Sequence, residues 1–146
     1  MIAQTIQLAL APVFPLVAIG NIISSLSQRL GRVVDRSREM QGLYDRTSDA
    51  EHDRVVREMR LIARRIRLIG AALRLLVIAG VVVGLTVAIL FMQEVVRVDL
   101  QLLAAGTFLV AVTLLMAALL LFLRETQVAT QALEIPKDYL ELDRSL

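Results

Sequence analysis

The feature that most constrains the fold of this chain is a set of three long stretches that contain no charged residue. They cover about residues 5–27, 75–93 and 100–123. As helices that rise about 1.5 Å per residue, all three are long enough to cross a hydrocarbon layer roughly 30 Å thick. In lipid the backbone must satisfy its own hydrogen bonds, and these stretches lack the alternating pattern of barrel strands. The sequence therefore predicts an all-α membrane protein with three transmembrane helices.

The composition agrees with a lipid environment and excludes several kinds of chemistry. Of the 146 residues 57% are hydrophobic, and the mean hydropathy is +0.68, more than a soluble domain of this size carries. The chain has no cysteine, and His52 is its only histidine. Thiolate chemistry, cysteine-bound metals, histidine metal clusters and the familiar catalytic triads are therefore excluded. We expect one membrane domain over residues 1–146 that is not an enzyme and needs no cofactor or metal.

The distribution of basic residues predicts how the chain is oriented. The segment between the first two apolar stretches holds Arg29, Arg32, Arg36, Arg38, Arg46, Arg54, Arg57, Arg60, Arg64, Arg65, Arg67 and Arg74. The connection between the second and third stretches holds only Arg97, and the C-terminal tail holds Arg124, Lys137 and Arg144. Loops rich in arginine and lysine are retained in the cytoplasm. We therefore expect residues 28–74 and the tail 124–146 inside, with the N-terminus and the short connection outside.

The long cytoplasmic segment has the pattern of a helical hairpin. Apolar residues continue the first helix as a stripe at Leu16, Ile19, Ile23, Leu26, Leu30, Val33, Met40 and Tyr44. A second stripe returns at Val55, Met59, Ile62, Ile66, Ile69, Leu73 and Leu76. Spacings of three and four residues are typical of coiled-coil seams, and Ser48 with Glu51 forms a capping box at the start of the returning helix. The sequence predicts an antiparallel coiled-coil hairpin, formed by extensions of helices 1 and 2, that turns at residues 42–47.

Two interpretations of this hairpin follow from its charges. It can serve assembly or dock a cytoplasmic protein partner, or it can simply order the loop. Arginines next to the bilayer can bind anionic lipid headgroups or act only as determinants of topology; these are Arg29, Arg32, Arg64, Arg65, Arg67 and Arg74. The basic residues alternate with acidic ones and lack neighbouring aromatic residues, so nucleic acid is not an expected partner.

The first apolar stretch carries a polar face that also permits two interpretations. The residues that define it are Gln7, Phe14, Asn21, Ser25 and Gln28. Copies of the chain can place this face around a water-filled pore with Phe14 as its constriction, or the polar side chains can hydrogen-bond to neighbouring helices. Pro12 and Pro15 are expected to kink this helix, since proline lacks an amide donor.

Small residues in the other two stretches predict close helix packing. Gly80, Gly84 and Ala88 recur every four residues in the second stretch, and Ala104, Ala111 and Ala118 recur every seven in the third. Such residues let two helices approach closely. The simplest interpretation is that the second helix packs on the third, and contact between copies is the alternative.

Two segments of the chain resemble a known family. The segment Ala11 to Asn21, APVFPLVAIGN, followed by Arg29 to Arg38, RLGRVVDRSR, is similar to the opening of the small bacterial membrane proteins called domain of unknown function 2721. The resemblance covers the first helix through the third. It implies a bacterial inner-membrane location and the same three-helix layout, and it supplies no activity or site residues. We expect a homo-oligomer in contact with membrane lipids, whose hairpin serves assembly or partner and lipid interaction; a channel or transport component lined by helix 1 is the alternative.

Overall fold

Three long helices account for the structure, a computed structural model that describes residues 10–131. Helix α1 spans Val13–Tyr44, α2 spans Asp49–Val96 and α3 spans Gln101–Gln131. Short connections make the helices antiparallel, and α2 lies in the middle, packed against both α1 and α3. Each helix is long and apolar enough to cross a membrane. The predicted all-α fold with three helices of membrane length is confirmed over the described range.

The first two helices extend well past their apolar stretches, and they meet in a shorter turn than expected. Residues 45–48 connect them, and α2 begins directly after Ser48. The Ser48 hydroxyl makes no hydrogen bond to the helix, so the predicted capping box is wrong. Ser48 has the extended backbone of an N-cap residue (φ −132°, ψ 162°), but Asp49 adopts a left-handed φ of 55°, so the first turn of α2 departs from the geometry of a capping box.

The two prolines lie at the start of α1. Pro12 precedes the first residue of the helix, and Pro15 is the third residue within it. Amides in the first turn have no acceptor inside the helix, so a proline there removes no helical hydrogen bond. Leu10 is helical and residues 11–12 form a turn, so the expected interruption lies directly before Val13, and α1 then continues without a break to Tyr44.

Buried residues recur every seven positions along all three helices. On α1 they are Ile19, Leu26, Val33 and Met40, and on α2 they are Val55, Ile62, Ile69, Leu76 and Val83. A second stripe on α2 comprises Ala72, Ala79 and Thr86, and α3 contributes Ala104, Ala111, Ala118 and Glu125. Tyr44 is expected to lie in the seam of α1, but its side chain is 44% exposed because the helix ends there. Its ring lies 4.6 Å from the ring of His52.

The two stripes of α2 face different neighbours. A Cβ atom on Gly80 would lie 3.8 Å from Ile19 Cγ2 and 3.9 Å from Leu16 Cδ2, so Gly80 faces α1 rather than α3. Among residues 10–131, no atom lies within 4 Å of the equivalent position on Gly84, and Ala88 is exposed. The close contact between α2 and α3 is instead built from alanines.

Candidate functional site

A buried carboxylate joins all three helices where the apolar stretches of α1 and α3 end. Glu125 on α3 is fully buried, and its two oxygens have different partners. Arg29 Nη1 of α1 donates to Glu125 Oε2 at 2.6 Å, and Arg65 Nε of α2 donates to Glu125 Oε1 at 2.9 Å. A buried carboxylate is tolerated when it is paired and hydrogen-bonded, and this one satisfies both conditions. We call Arg29, Arg65 and Glu125 the clamp.

The position of the clamp follows from the seven-residue repeats. Glu125 lies seven residues after Ala118 and continues the buried stripe of α3, and Arg65 lies seven residues before Ala72 on α2. Because the two helices are antiparallel and Arg65 meets Glu125, the same register places Ala72 opposite Ala118. Small side chains bring the backbones together within the apolar region, and long charged side chains meet at its end.

An aromatic side chain also positions Arg29. Its guanidinium carbon lies 5.2 Å from the centre of the Phe122 ring, and Phe122 lies one turn before Glu125 on α3. A cation over an aromatic face contributes about 0.5–1 kcal/mol at exposed sites and more where water is excluded. Arg29 of α1 is therefore bound to α3 by both an ion pair and a ring contact.

A second ion cluster lies farther along the hairpin. Arg36 donates from Nη1 to Glu39 Oε2 at 2.8 Å and from Nε to Glu58 Oε1 at 2.8 Å. The hydrogen bond that Arg36 donates to Glu39, and then the one that it donates to Glu58, raises the pKa of the Arg36 guanidinium above its usual value. Arg36 and Glu39 are about half exposed, so this cluster links α1 to α2 with little net stabilisation.

Between the clamp and the Arg36 cluster lies a groove of about 800 Å³. Four arginines and one glutamate give it its charge, and its other walls are apolar; the lining residues are Arg29, Arg32, Arg36, Arg65, Glu58, Val33, Leu61, Ile62 and Ala129. We call it the arginine groove. Arg32 is exposed and has no ion pair with any residue between 10 and 131. An anion that enters this groove would meet several guanidinium groups.

The structure separates the six arginines that were candidates for lipid contact. Arg29, Arg32 and Arg65 share the arginine groove, whereas Arg64, Arg67 and Arg74 are exposed and do not line it. Arg74 Nη1 would lie 3.9 Å from a Cβ on Gly70, so the side chain runs back along α2 toward its arginine-rich end. Long basic side chains in apolar surroundings reach for the water interface in this way.

The polar face of α1 is uncovered in the single chain. Phe14 is 76% exposed, and Asn21, Ser25 and Gln28 are exposed as well. Gln7, the fifth member of the predicted face, lies outside the described residues. Helix α1 packs on α2 through its other side, where Ile19 and Leu26 are buried, so no described residue of the same chain covers the polar face.

A polar contact that the sequence analysis missed links α2 to α3 within the apolar region. The hydroxyls of Thr86 and Thr107 lie 2.9 Å apart, and each is also 2.9 Å from a carbonyl oxygen of its own helix. A hydrogen bond of this kind between membrane helices contributes about 0.6 kcal/mol. It fixes the register of the alanine stripes that lead to the clamp.

The described residues offer little to a metal ion. Between residues 10 and 131 no three histidine, aspartate or glutamate side chains are close enough together to bind one. His52 packs against Tyr44, and its Nδ1 atom is buried without a hydrogen-bond partner in the described range. The arginine groove is therefore the most chemically distinctive feature of this part of the chain.

Comparison with known proteins gives one positive result. A family model described as "Protein of unknown function (DUF2721)" matches residues 9–135, which confirms the resemblance predicted from the sequence. No curated protein and no solved structure matches the chain.

Proposed function

The chain belongs to the DUF2721 family of proteins of unknown function, and from its structure we propose that it is a non-enzymatic, multi-pass protein of the bacterial inner membrane that assembles with copies of itself. In this proposal the cytoplasmic ends of the three helices, tied together by the clamp, form a module for assembly and for contact with lipid or a protein partner. The exposed polar face of α1 is the observation that carries it.

Exposed apolar side chains on α2 and α3 support insertion into a membrane. Large hydrophobic residues with at least half of their surface exposed include Val77, Val81, Leu85, Leu102, Leu109 and Leu120. A soluble monomer rarely exposes so continuous an apolar surface, whereas lipid tails accommodate it. The positive-inside rule then orients the arginine-rich ends toward the cytoplasm.

The α1 face supports assembly because it is polar where lipid would otherwise surround it. Asn21 and Ser25 lie within the uncharged part of α1, where water is absent and an unpaired amide or hydroxyl is costly. The same face of a second copy offers matching donors and acceptors, and polar side chains hydrogen-bond across membrane helices in this way. A second copy of α1 is therefore the proposed occupant of this face.

The hairpin supports an interaction role through its length and regularity. Buried residues repeat every seven positions from Ile19 to Met40 on α1 and from Val55 to Leu76 on α2. A strict repeat of seven is the pattern of a left-handed coiled coil. We propose an antiparallel coiled-coil hairpin that projects from the membrane, presenting charged faces to the cytoplasm.

Cross-linking through single cysteines tests the proposed assembly directly, since the natural chain has none. In native membranes, Asn21→Cys is expected to give a disulfide-linked dimer on mild oxidation because the two α1 faces meet. Thr113→Cys, at an exposed position of α3, is the matched control and is expected to stay monomeric. Equal cross-linking at both sites, or none at Asn21, would contradict assembly through α1.

A channel is the second candidate function, and the alignment of Phe14, Asn21 and Gln28 favours it. These exposed residues are spaced by seven, so copies arranged around an axis would form successive rings. In liposomes, Asn21→Leu is expected to abolish the flux of a small solute and Phe14→Ala to increase it, with Thr113→Leu as the unchanged control. Absence of flux from the natural chain in its oligomeric form would exclude the channel and leave the assembly proposal standing.

A further inference from the structure

We propose that the arginine groove binds the phosphate group of an anionic phospholipid of the inner leaflet. The inference rests on the membrane insertion and orientation proposed above, and it selects Arg29, Arg32 and Arg65 from the larger set of arginines near the membrane.

Two guanidinium groups in the groove are held in place with donors to spare. A guanidinium carries five N–H groups, and Arg29 and Arg65 each give one hydrogen bond to Glu125. No other hydrogen bond from either side chain reaches a residue in the range 10–131, and their side chains are 29% and 25% exposed. Because Glu125 already fixes both groups, little conformational entropy is lost when an anion binds them.

The local charge favours an anion at the clamp end of the groove. This end of the groove holds three positive charges, on Arg29, Arg32 and Arg65, and one negative charge, on Glu125, so its net charge is +2. Arg36, at the other end, is already bound by Glu39 and Glu58. A phosphate accepts from several guanidinium N–H groups at once, and Arg32, which has no ion pair within residues 10–131, is the natural third contact.

The height of the groove matches the phosphate layer of a membrane. Its clamp end lies where the uncharged part of α1 ends at Gln28 and that of α3 ends at Leu123. The apolar side chains of Val33, Ile62 and Ala129 line the remaining wall, and they limit water around the bound group. A low local dielectric strengthens the attraction between guanidinium and phosphate.

Native mass spectrometry of the full-length protein in a mild detergent tests the assignment. The protein is titrated with phosphatidylglycerol and, separately, with zwitterionic phosphatidylcholine. The variant is Arg32→Gln, because Arg29 and Arg65 also hold the fold together. Its matched control is Arg60→Gln, which removes the same charge from an exposed arginine outside the groove. We expect the Kd for phosphatidylglycerol to rise roughly fivefold in Arg32→Gln and to stay unchanged in Arg60→Gln.

Calorimetric titration with inorganic phosphate distinguishes the two sources of the ligand. We expect inorganic phosphate to show no saturable binding at concentrations equal to those at which the lipid saturates the groove. Tight binding of inorganic phosphate that depends on Arg32, with no preference for the lipid, would overturn the lipid assignment. If Arg60→Gln weakened lipid binding as much as Arg32→Gln does, the groove would not be the binding site, because the effect would then come from the net charge of the protein. In the same spectra, the mass of the lipid-free protein gives the number of copies in the assembly. Loss of assembly is therefore distinguished from loss of lipid binding.

Discussion

Replacing Glu125 with alanine is expected to lower the free energy of unfolding by about 3 kcal/mol, the low end of the range for breaking a buried ion pair. The substitution leaves the guanidinium groups of Arg29 and Arg65 close together without the carboxylate between them. Their remaining exposure lets them turn partly toward water, so the loss stays at the low end. Equilibrium unfolding in mixed detergent micelles, followed by circular dichroism, measures the change.

A matched control is the removal of an exposed carboxylate that also contacts an arginine. Glu39 is 59% exposed and shares Arg36 with Glu58, so Glu39→Ala is expected to cost less than about 1 kcal/mol. The isosteric Glu125→Gln is expected to fall between the two alanine variants, since the amide keeps one acceptor and loses the charge. Equal stabilities for Glu125→Ala and Glu39→Ala would show that the clamp contributes nothing beyond a surface pair.

The predictable part of this fold is the part governed by charge and apolar periodicity. Uncharged runs of membrane length determine where the three helices lie, and the family resemblance rests on the first of these runs and on the arginine-rich segment that follows it. The stripe from Leu16 to Met40 predicts that α1 continues past the apolar region, because a helix that buries one face on a partner keeps its repeat. The prediction failed at the turn of the hairpin, because Tyr44 is exposed where the seam was expected to bury it and the Ser48 hydroxyl does not cap α2.

The sequence does not predict the clamp, because the charged residues after Leu123 have the pattern of a cytoplasmic tail. Helix α3 continues to Gln131. The signal was nevertheless present, since Ala104, Ala111 and Ala118 were already recognised at a spacing of seven, and one more step reaches Glu125. A glutamate in a stripe of buried alanines predicts an arginine opposite it, because a buried carboxylate needs a partner. Which of the many arginines fills that position depends on the register between helices, and the sequence alone leaves that register open.

The Gly-x-x-x-Gly pattern of α2 shows the same dependence on three-dimensional packing. Gly80 and Gly84 are equivalent as a sequence motif, yet of the two only Gly80 has neighbours on another helix within the part of the chain that the structure describes. The step of four residues from Gly80 to Gly84 turns the helix by about 400°, so their directions differ by about 40°. That difference moves Gly84 away from α1 and leaves its surroundings open in the single chain.

Gly80→Leu is therefore expected to destabilise the protein by about 2 kcal/mol, a typical cost of overpacking a tight contact. The new side chain must displace Ile19 and Leu16, the two α1 residues nearest to a Cβ at this position. Gly84→Leu is the matched control, and it is expected to change the free energy of unfolding by less than about 0.5 kcal/mol because it meets open space. Both changes are measured by unfolding in mixed micelles, with the mass of each variant determined in parallel. If Gly84→Leu instead reduces the copy number of the assembly, Gly84 contacts a second chain, and the interface extends beyond the polar face of α1.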